Sequence, residues 1–226
     1  SYRINTEYGG KTYDPEVYAA LYNAQAVLQG AKYNTIQAHR NAVRSVVLAN
    51  NSFRFYSTGS DGRILVGNYQ NKSVERLLGR NPNPNRVVSI SKDDRYLAVG
   101  SDSSSIQLYD LSEGNPKDQK ITGHTGRINA LVFAEQGLYS SSSDKTIRLT
   151  IPGGQSRNFV NVPYEIKAMS IDRNSSILLG ATIEGYIIKV DLITKTINIL
   201  EIDSNPSPIN AISIHPDNRR VVIGTE

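Results

Sequence analysis

The 226-residue sequence has no cysteine and no tryptophan, a single methionine and three histidines. Without cysteine there are no disulfides and no thiolate metal ligands, and the composition suits a reducing compartment such as the cytoplasm. No apolar run approaches the ~20 residues that a membrane span needs, and no signal-peptide pattern opens at Ser1. Catalytic signatures are absent too. There is no HExxH and no GxSxG, and Gly9-Gly10-Lys11 lacks the spacing of a phosphate-binding loop. Nothing in the sequence calls for a cofactor, a metal or a catalytic residue. Lys and Arg exceed Asp and Glu by 25 to 21, giving +4 and a pI near 9.2. The excess is scattered rather than clustered, which argues against nucleic acid as a partner.

What the sequence does contain is a repeat. Five segments align under one another: VRSVVL from Val43, NRVVSI from Asn85, INALVF from Ile128, IKAMSI from Ile166 and INAISI from Ile209. A recurrence of about 42 residues signals stacked supersecondary units that share a core and present surfaces for binding. Each unit holds short runs rich in Val, Ile, Leu and Tyr, separated by Gly, Asn, Asp, Ser and Pro. Third strands read RILVGNY, SIQLYDL, TIRLTI and YIIKVDL. Fourth strands read SVERLL, KDQKIT, RNFVNV and KTINILEI. Four antiparallel strands per unit make the blade of a β-propeller.

Residues 1–30 differ. Asp14 is placed to cap a helix with Pro15 at its first position, and Tyr13 and Tyr18 are spaced as a hydrophobic staple. Val17, Leu21, Ala24 and Leu28 share a face, and Gly30 ends the pattern. The expected organisation is a helical lead-in over 1–30 and an all-β propeller over 31–226.

The segment TGHTGRINALVFAEQGLYSSSSDKTIRL, from Thr122, resembles a WD repeat, and AHRNAVRSVVLANNSFRFYSTGSDGRILV, from Ala38, is similar. The resemblance covers residues 32–226. It implies a hydrogen-bonded network inside the blade: His39, Ser57 or Thr58, and Asp61 in the first unit; His124, Ser140 or Ser142, and Asp144 in the third. The third-strand Trp of that network is replaced by Gly67, Tyr109, Thr150 and Val190, and the turn Asp becomes Ser103 and Glu184 in units two and four. The blades are therefore degenerate and depend more on apolar packing.

A second stretch, YRINTEYGGKTYDPEVYAALYNA, resembles the segment joining a helical region to a propeller in large multidomain bacterial signalling proteins. It implies a scaffold or sensor module within a longer polypeptide. The fifth unit supplies two strands and stops, and residues 32–37 read as an orphan fourth strand. The expectation is four full blades and a partial fifth, belonging to a seven-bladed ring, with self-association through open blade edges as the alternative.

The plainer account of each polar motif is structural. His39 and His124 hold equivalent repeat positions and so sit in different blades, His215 lies in a turn, and the serines of 101–105 suit a hairpin turn. The loops before each first strand line the rim where partners of WD propellers dock. By register Arg86, Arg127, Tyr164 and Glu165 fall there, and Arg and Tyr are favoured at binding hot spots. The expected function is non-catalytic protein interaction. The alternative is an enzyme of lyase or glycosidase type, with carboxylates from several blades converging on the channel.

Overall fold

The structure, a computed structural model, describes residues 36, 38–112, 116–202 and 207–225. The chain divides into two compact units, 1–37 and 38–226, and the strands among the described residues belong to the second. The helical lead-in and the expected orphan strand fall outside the described residues, Ile36 excepted.

Among the described residues, eighteen strands form four four-stranded antiparallel sheets and a two-stranded hairpin. The first blade contains β1 (Val43–Leu48), β2 (Arg54–Gly59), β3 (Arg63–Asn68) and β4 (Ser73–Arg80). The second contains β5 (Asn85–Ile90), β6 (Tyr96–Ser101), β7 (Ile106–Asp110) and β8 (Lys117–Ile121). The third contains β9 (Ile128–Ala134), β10 (Gly137–Ser142), β11 (Thr146–Thr150) and β12 (Ser156–Asn161). The fourth contains β13 (Ile166–Ile171), β14 (Ile177–Thr182), β15 (Tyr186–Asp191) and β16 (Ile197–Glu201). The hairpin is β17 (Ile209–Ile214) with β18 (Val221–Thr225). In each sheet the strands pair in sequence order, as tight turns between short apolar runs dictate.

Every first strand carries a bulge at its second residue. The ladder steps from Val43↔Gly59 to Ser45↔Thr58, from Asn85↔Ser101 to Val87↔Gly100 and from Ile128↔Ser142 to Ala130↔Ser141. The same step recurs from Ile166↔Thr182 to Ala168↔Ala181 and from Ile209↔Thr225 to Ala211↔Gly224. The skipped residues are Arg44, Arg86, Asn129, Lys167 and Asn210. A bulge resets the two-residue alternation. Positions one, four and six of each segment therefore share one face, as with Ile128, Leu131 and Phe133, and from the second blade on that face packs on the preceding blade.

Four apolar clusters fill the four blade junctions. Tyr56, Ile64 and Val66 meet Val88, Leu97 and Tyr109. Ile106 and Leu108 meet Ile128 and Leu138. Tyr139 and Leu149 meet Ile166 and Leu178, while Leu179 and Ile187 meet Ile209 and Ile212. Small residues on the second strands permit this close approach: a Cβ at Gly100 would lie 2.6 Å from Ile128 Cγ2. At the opposite end of the blades the first hairpin turns latch to one another. Asp94 accepts from the backbone N–H groups of Asn50 and Asn51 (2.7 and 2.6 Å). Asn218 accepts likewise from Arg173 N at 3.2 Å.

Candidate binding surface

Two polar networks sit inside the blades. His39 Nδ1 lies 2.9 Å from Asp61 Oδ1 and its Nε2 lies 2.9 Å from Ser57 Oγ. Asp61 also accepts from the N–H groups of Arg40 and Arg63 (2.8 and 3.1 Å). The third blade repeats this. His124 Nδ1 is 2.8 Å from Asp144 Oδ2, its Nε2 is 2.8 Å from Ser140 Oγ, and Thr125 N donates to the same carboxylate oxygen at 2.9 Å. Thr146 adds its N–H and its hydroxyl to Asp144 Oδ1 (3.0 and 2.7 Å). The serines engaged are Ser57 and Ser140. Their alternates differ: Thr58 Oγ1 is buried without a partner, and Ser142 Oγ accepts from Asp144 N at 3.2 Å.

A carboxylate only accepts, so Nδ1 of each imidazole carries the proton and Nε2 accepts from the serine hydroxyl. Burial pushes the His124 pKa down, with Asp144 opposing. Burial alone would raise Asp144, but hydrogen bonds from Thr146, Thr125 and His124 outweigh it and hold the carboxyl at about 2. The connectivity Asp–His–Ser is that of a hydrolytic triad. Here, however, Ser140 is 0% exposed and His124 only 7%. A nucleophile with no accessible surface cannot reach a substrate, and the network's hydrogen bonds are spent tying the loop before the first strand to the second-to-third strand turn.

A second set of polar groups, exposed or half-buried, lies at the start of the first strands. Arg44 Nε donates to Ser60 Oγ at 2.8 Å. One repeat later Arg86 Nε donates to Asp102. Three donors converge on Glu165 Oε1: Arg127 (3.2 Å), Asn129 Nδ2 (2.9 Å) and Lys167 Nζ (2.7 Å). Burial would raise the Glu165 pKa, but Lys167, Asn129 and Arg127 bring it below its usual value. Tyr164 stacks on Tyr186 with ring centroids 4.8 Å apart and packs against the junction of the third and fourth blades. A groove of about 720 Å³ opens beside Ser60, lined by Arg40, Arg80 and by Asn81, Pro82 and Pro84 of the loop that leads to the second blade.

The structure thus brings Arg127 and Glu165 into direct contact across adjacent blades, sets Tyr164 beside them in the chain, and places Arg86 on the neighbouring blade with its own acid. Sequence reasoning missed Arg44, Asn129, Lys167 and Thr146. The first three had a visible signal: column two of the aligned segments is polar in all five copies, which interrupts an apolar strand where a bulge is required. Among the described residues no group of three or more His, Cys, Asp or Glu is arranged to hold a metal.

The family description "WD domain, G-beta repeat" matches residues 30–66, 79–110 and 116–150. The three matched repeats are WD repeats, and the fold is a WD-type β-propeller. Human WD repeat-containing protein 36 is 28% identical over 137 residues, covering 59% of this chain and 15% of its own length. The serine-threonine kinase receptor-associated protein of Gallus gallus is 27% identical over 146 residues, covering 62% of this chain and 40% of its own. The anaphase-promoting complex subunit cdc20 of Dictyostelium discoideum is 34% identical over 86 residues, covering 37% and 17%. The chain therefore spans 15–40% of the length of these WD-repeat relatives, all of them eukaryotic. Its WD blades retain the His–Ser–Asp network in the first and third units. In the second, Asn81 stands at the histidine position, four residues before Asn85, and its Nδ2 donates to Asn85 Oδ1 at 2.6 Å.

Proposed function

We infer that this WD-repeat propeller is a protein-interaction scaffold whose partner docks on the rim formed by the first-strand bulges. The observation that supports it most is the recurrence of a polar bulge residue in every blade: Arg44, Arg86, Asn129, Lys167 and Asn210. Bulges re-aim side chains, and these are released from the sheet while neighbouring hydrogen bonds fix their positions. Four rim cations (Arg44, Arg86, Arg127 and Lys167) face two rim carboxylates (Asp102 and Glu165), so the rim favours an acidic segment of the partner. Two relatives are named for association, one with a kinase receptor and one as a subunit of a complex. The finer reading, a cytoplasmic sensor or scaffold module within a larger multidomain signalling protein of bacterial type, draws on the resemblance of residues 2–24 and on the absence of cysteine. The eukaryotic relatives speak to the repeats alone.

The reading is tested by comparing proteins captured by the wild type and by an Arg86→Ala/Arg127→Ala/Lys167→Ala variant. Loss of the same proteins in the variant, at an unchanged unfolding midpoint, supports the rim. Equal capture by both sinks it. The enzyme alternative is tested with chromogenic glycoside and ester substrates: turnover abolished by Asp61→Asn or Asp144→Asn would revive it.

A further inference from the structure

Among the described residues, each complete blade ends in an outer strand with a free edge, which folded proteins blunt with charge, bulges or proline. Three of the four outer strands here follow that rule. β4 carries Glu75, Arg76 and Arg80, and two bulges break its pairing with β3. β8 reads Lys-Asp-Gln-Lys-Ile, and β12 carries Arg157 together with a bulge against β11. β16 does neither. It reads Ile-Asn-Ile-Leu-Glu, pairs with β15 in unbroken register, and leaves Ile199 47%, Leu200 45% and Ile202 49% exposed.

The ladder shows which groups its edge offers. Asp191 N donates to Thr196 O at 3.0 Å, and hydrogen-bonded pairs alternate in an antiparallel sheet. Asn198 and Leu200 therefore bond back to β15, while Ile197, Ile199 and Glu201 turn their N–H and C=O outward. Among the described residues no strand receives them.

We propose that β16 is a dimerisation edge, where a second copy of this chain adds its own β16 antiparallel about a twofold axis at Asn198. The sequence is self-complementary in that register. Ile197 meets Ile199 of the second copy, Thr196 meets its Leu200, and Lys195, just ahead of the strand, meets its Glu201. Each pair occurs twice by symmetry. The residues that face one another as hydrogen-bonded pairs are the outward-turned ones, as the ladder requires. The neighbouring register, centred on Ile199, keeps the ladder but sets Glu201 against Ile197. The eight-stranded sheet that results brings Ile199 and Leu200 against the second copy's strand and satisfies both free edges.

The cysteine-free chain allows a direct test. Residues on the axis form a non-hydrogen-bonded pair with Cα atoms about 4.5 Å apart, within disulfide range. Asn198→Cys should therefore give a covalent dimer on mild oxidation, while Gln119→Cys, in the middle of β8, should stay monomeric. By sedimentation the unmodified protein should show a monomer–dimer equilibrium. Ile199→Lys sets an ammonium group diagonal to Lys195 of the second copy and should raise the dissociation constant about tenfold or more. If Ile199→Lys prevents folding, the disulfide trap decides alone. A protein monomeric at every concentration overturns the proposal. So does a dimer indifferent to Ile199→Lys, or crosslinking of the Asn198→Cys variant no faster than the β8 control.

Discussion

Val46 and Val88 occupy the same position in successive blades, yet Val46 is 56% exposed and Val88 is 6% exposed. Both follow a bulge, both are position four of the repeated segment, and both point toward the preceding blade. Val88 finds Tyr56, Ile64 and Val66 there. Val46, with Val43 and Leu48 on the same face, has no blade before it among the described residues.

The difference sets a stability prediction. Val88→Ala removes buried methyl groups and leaves a cavity, at a cost of about 2 kcal/mol. Val46→Ala should change stability by less than about 0.5 kcal/mol. Urea denaturation of the two variants checks this. Equal losses would show that the outer face of the first blade is covered in the folded protein.

The third-blade network should make the fold acid-labile. Asp144 is depressed to about 2 from an ordinary 3.8, so its contribution is complete above pH 4 and is lost as pH falls toward 2. That contribution is on the order of 1–2 kcal/mol. His124 is lowered from 6.5, so the unfolded chain binds its proton first and stability begins to fall as pH drops through 6.5. Unfolding free energy should therefore decline from pH 7 downward and more steeply below pH 4. Asp144→Asn should be less stable at pH 7 and should show a shallower second decline, the remainder coming from other lowered carboxylates such as Asp61, Asp94 and Asp172. An unchanged low-pH limb in that variant would remove Asp144 from the account.

Much of this architecture was legible in the sequence because its period is long and its strands are short. The aligned first strands coincide with β1, β5, β9, β13 and β17, and the Gly, Asp and Ser clusters coincide with the hairpin turns. The bulge is invisible to a strict period of two. Apolar residues at positions one, four and six fit that period only once a residue is skipped. The rim was located by position, but its wiring was hidden. Arg127 and Glu165 are 38 residues apart, and only the packing of one blade on the next brings them within 3.2 Å. A choice such as Ser57 or Thr58 was also beyond reach, since neighbouring residues on a strand face opposite ways and both are small hydroxyl side chains.

That choice yields its own prediction. Ser57 Oγ bonds His39 Nε2, so Ser57→Ala leaves a buried acceptor unsatisfied and should cost about 1–2 kcal/mol. Thr58 is 0% exposed and its hydroxyl has no partner. Thr58→Val keeps the shape and removes a stranded polar atom, so stability should hold or rise by up to about 1 kcal/mol. Thermal unfolding of the two variants separates them. A larger loss for Thr58→Val than for Ser57→Ala would mean that Thr58 is the hydroxyl engaged by the histidine.

Gly62 and Gly153 share a left-handed backbone, with φ of 74° and 82°, but not the space around it. Gly62 turns from the second strand to the third of the first blade, and its carbonyl accepts from Asn81 N at 2.8 Å. A Cβ there would collide with the carbonyl oxygen of Asn81, a backbone atom of the residue whose N–H makes that hydrogen bond. At Gly153 a Cβ would meet nothing within 4 Å. Gly153→Ala therefore carries the backbone strain alone, about 1 kcal/mol. Gly62→Ala carries that strain and must also displace the loop leading to the second blade, a combined loss of about 3 kcal/mol. The loop lines the groove beside Arg40 and Arg80, so Gly62→Ala should also weaken any partner seated there, while Gly153→Ala should leave binding unchanged. Unfolding midpoints and partner affinity measured on the two variants check both halves. Equal destabilisation by the two would show that the Asn81 loop yields freely, and that the groove is not held in shape by its contact with Gly62.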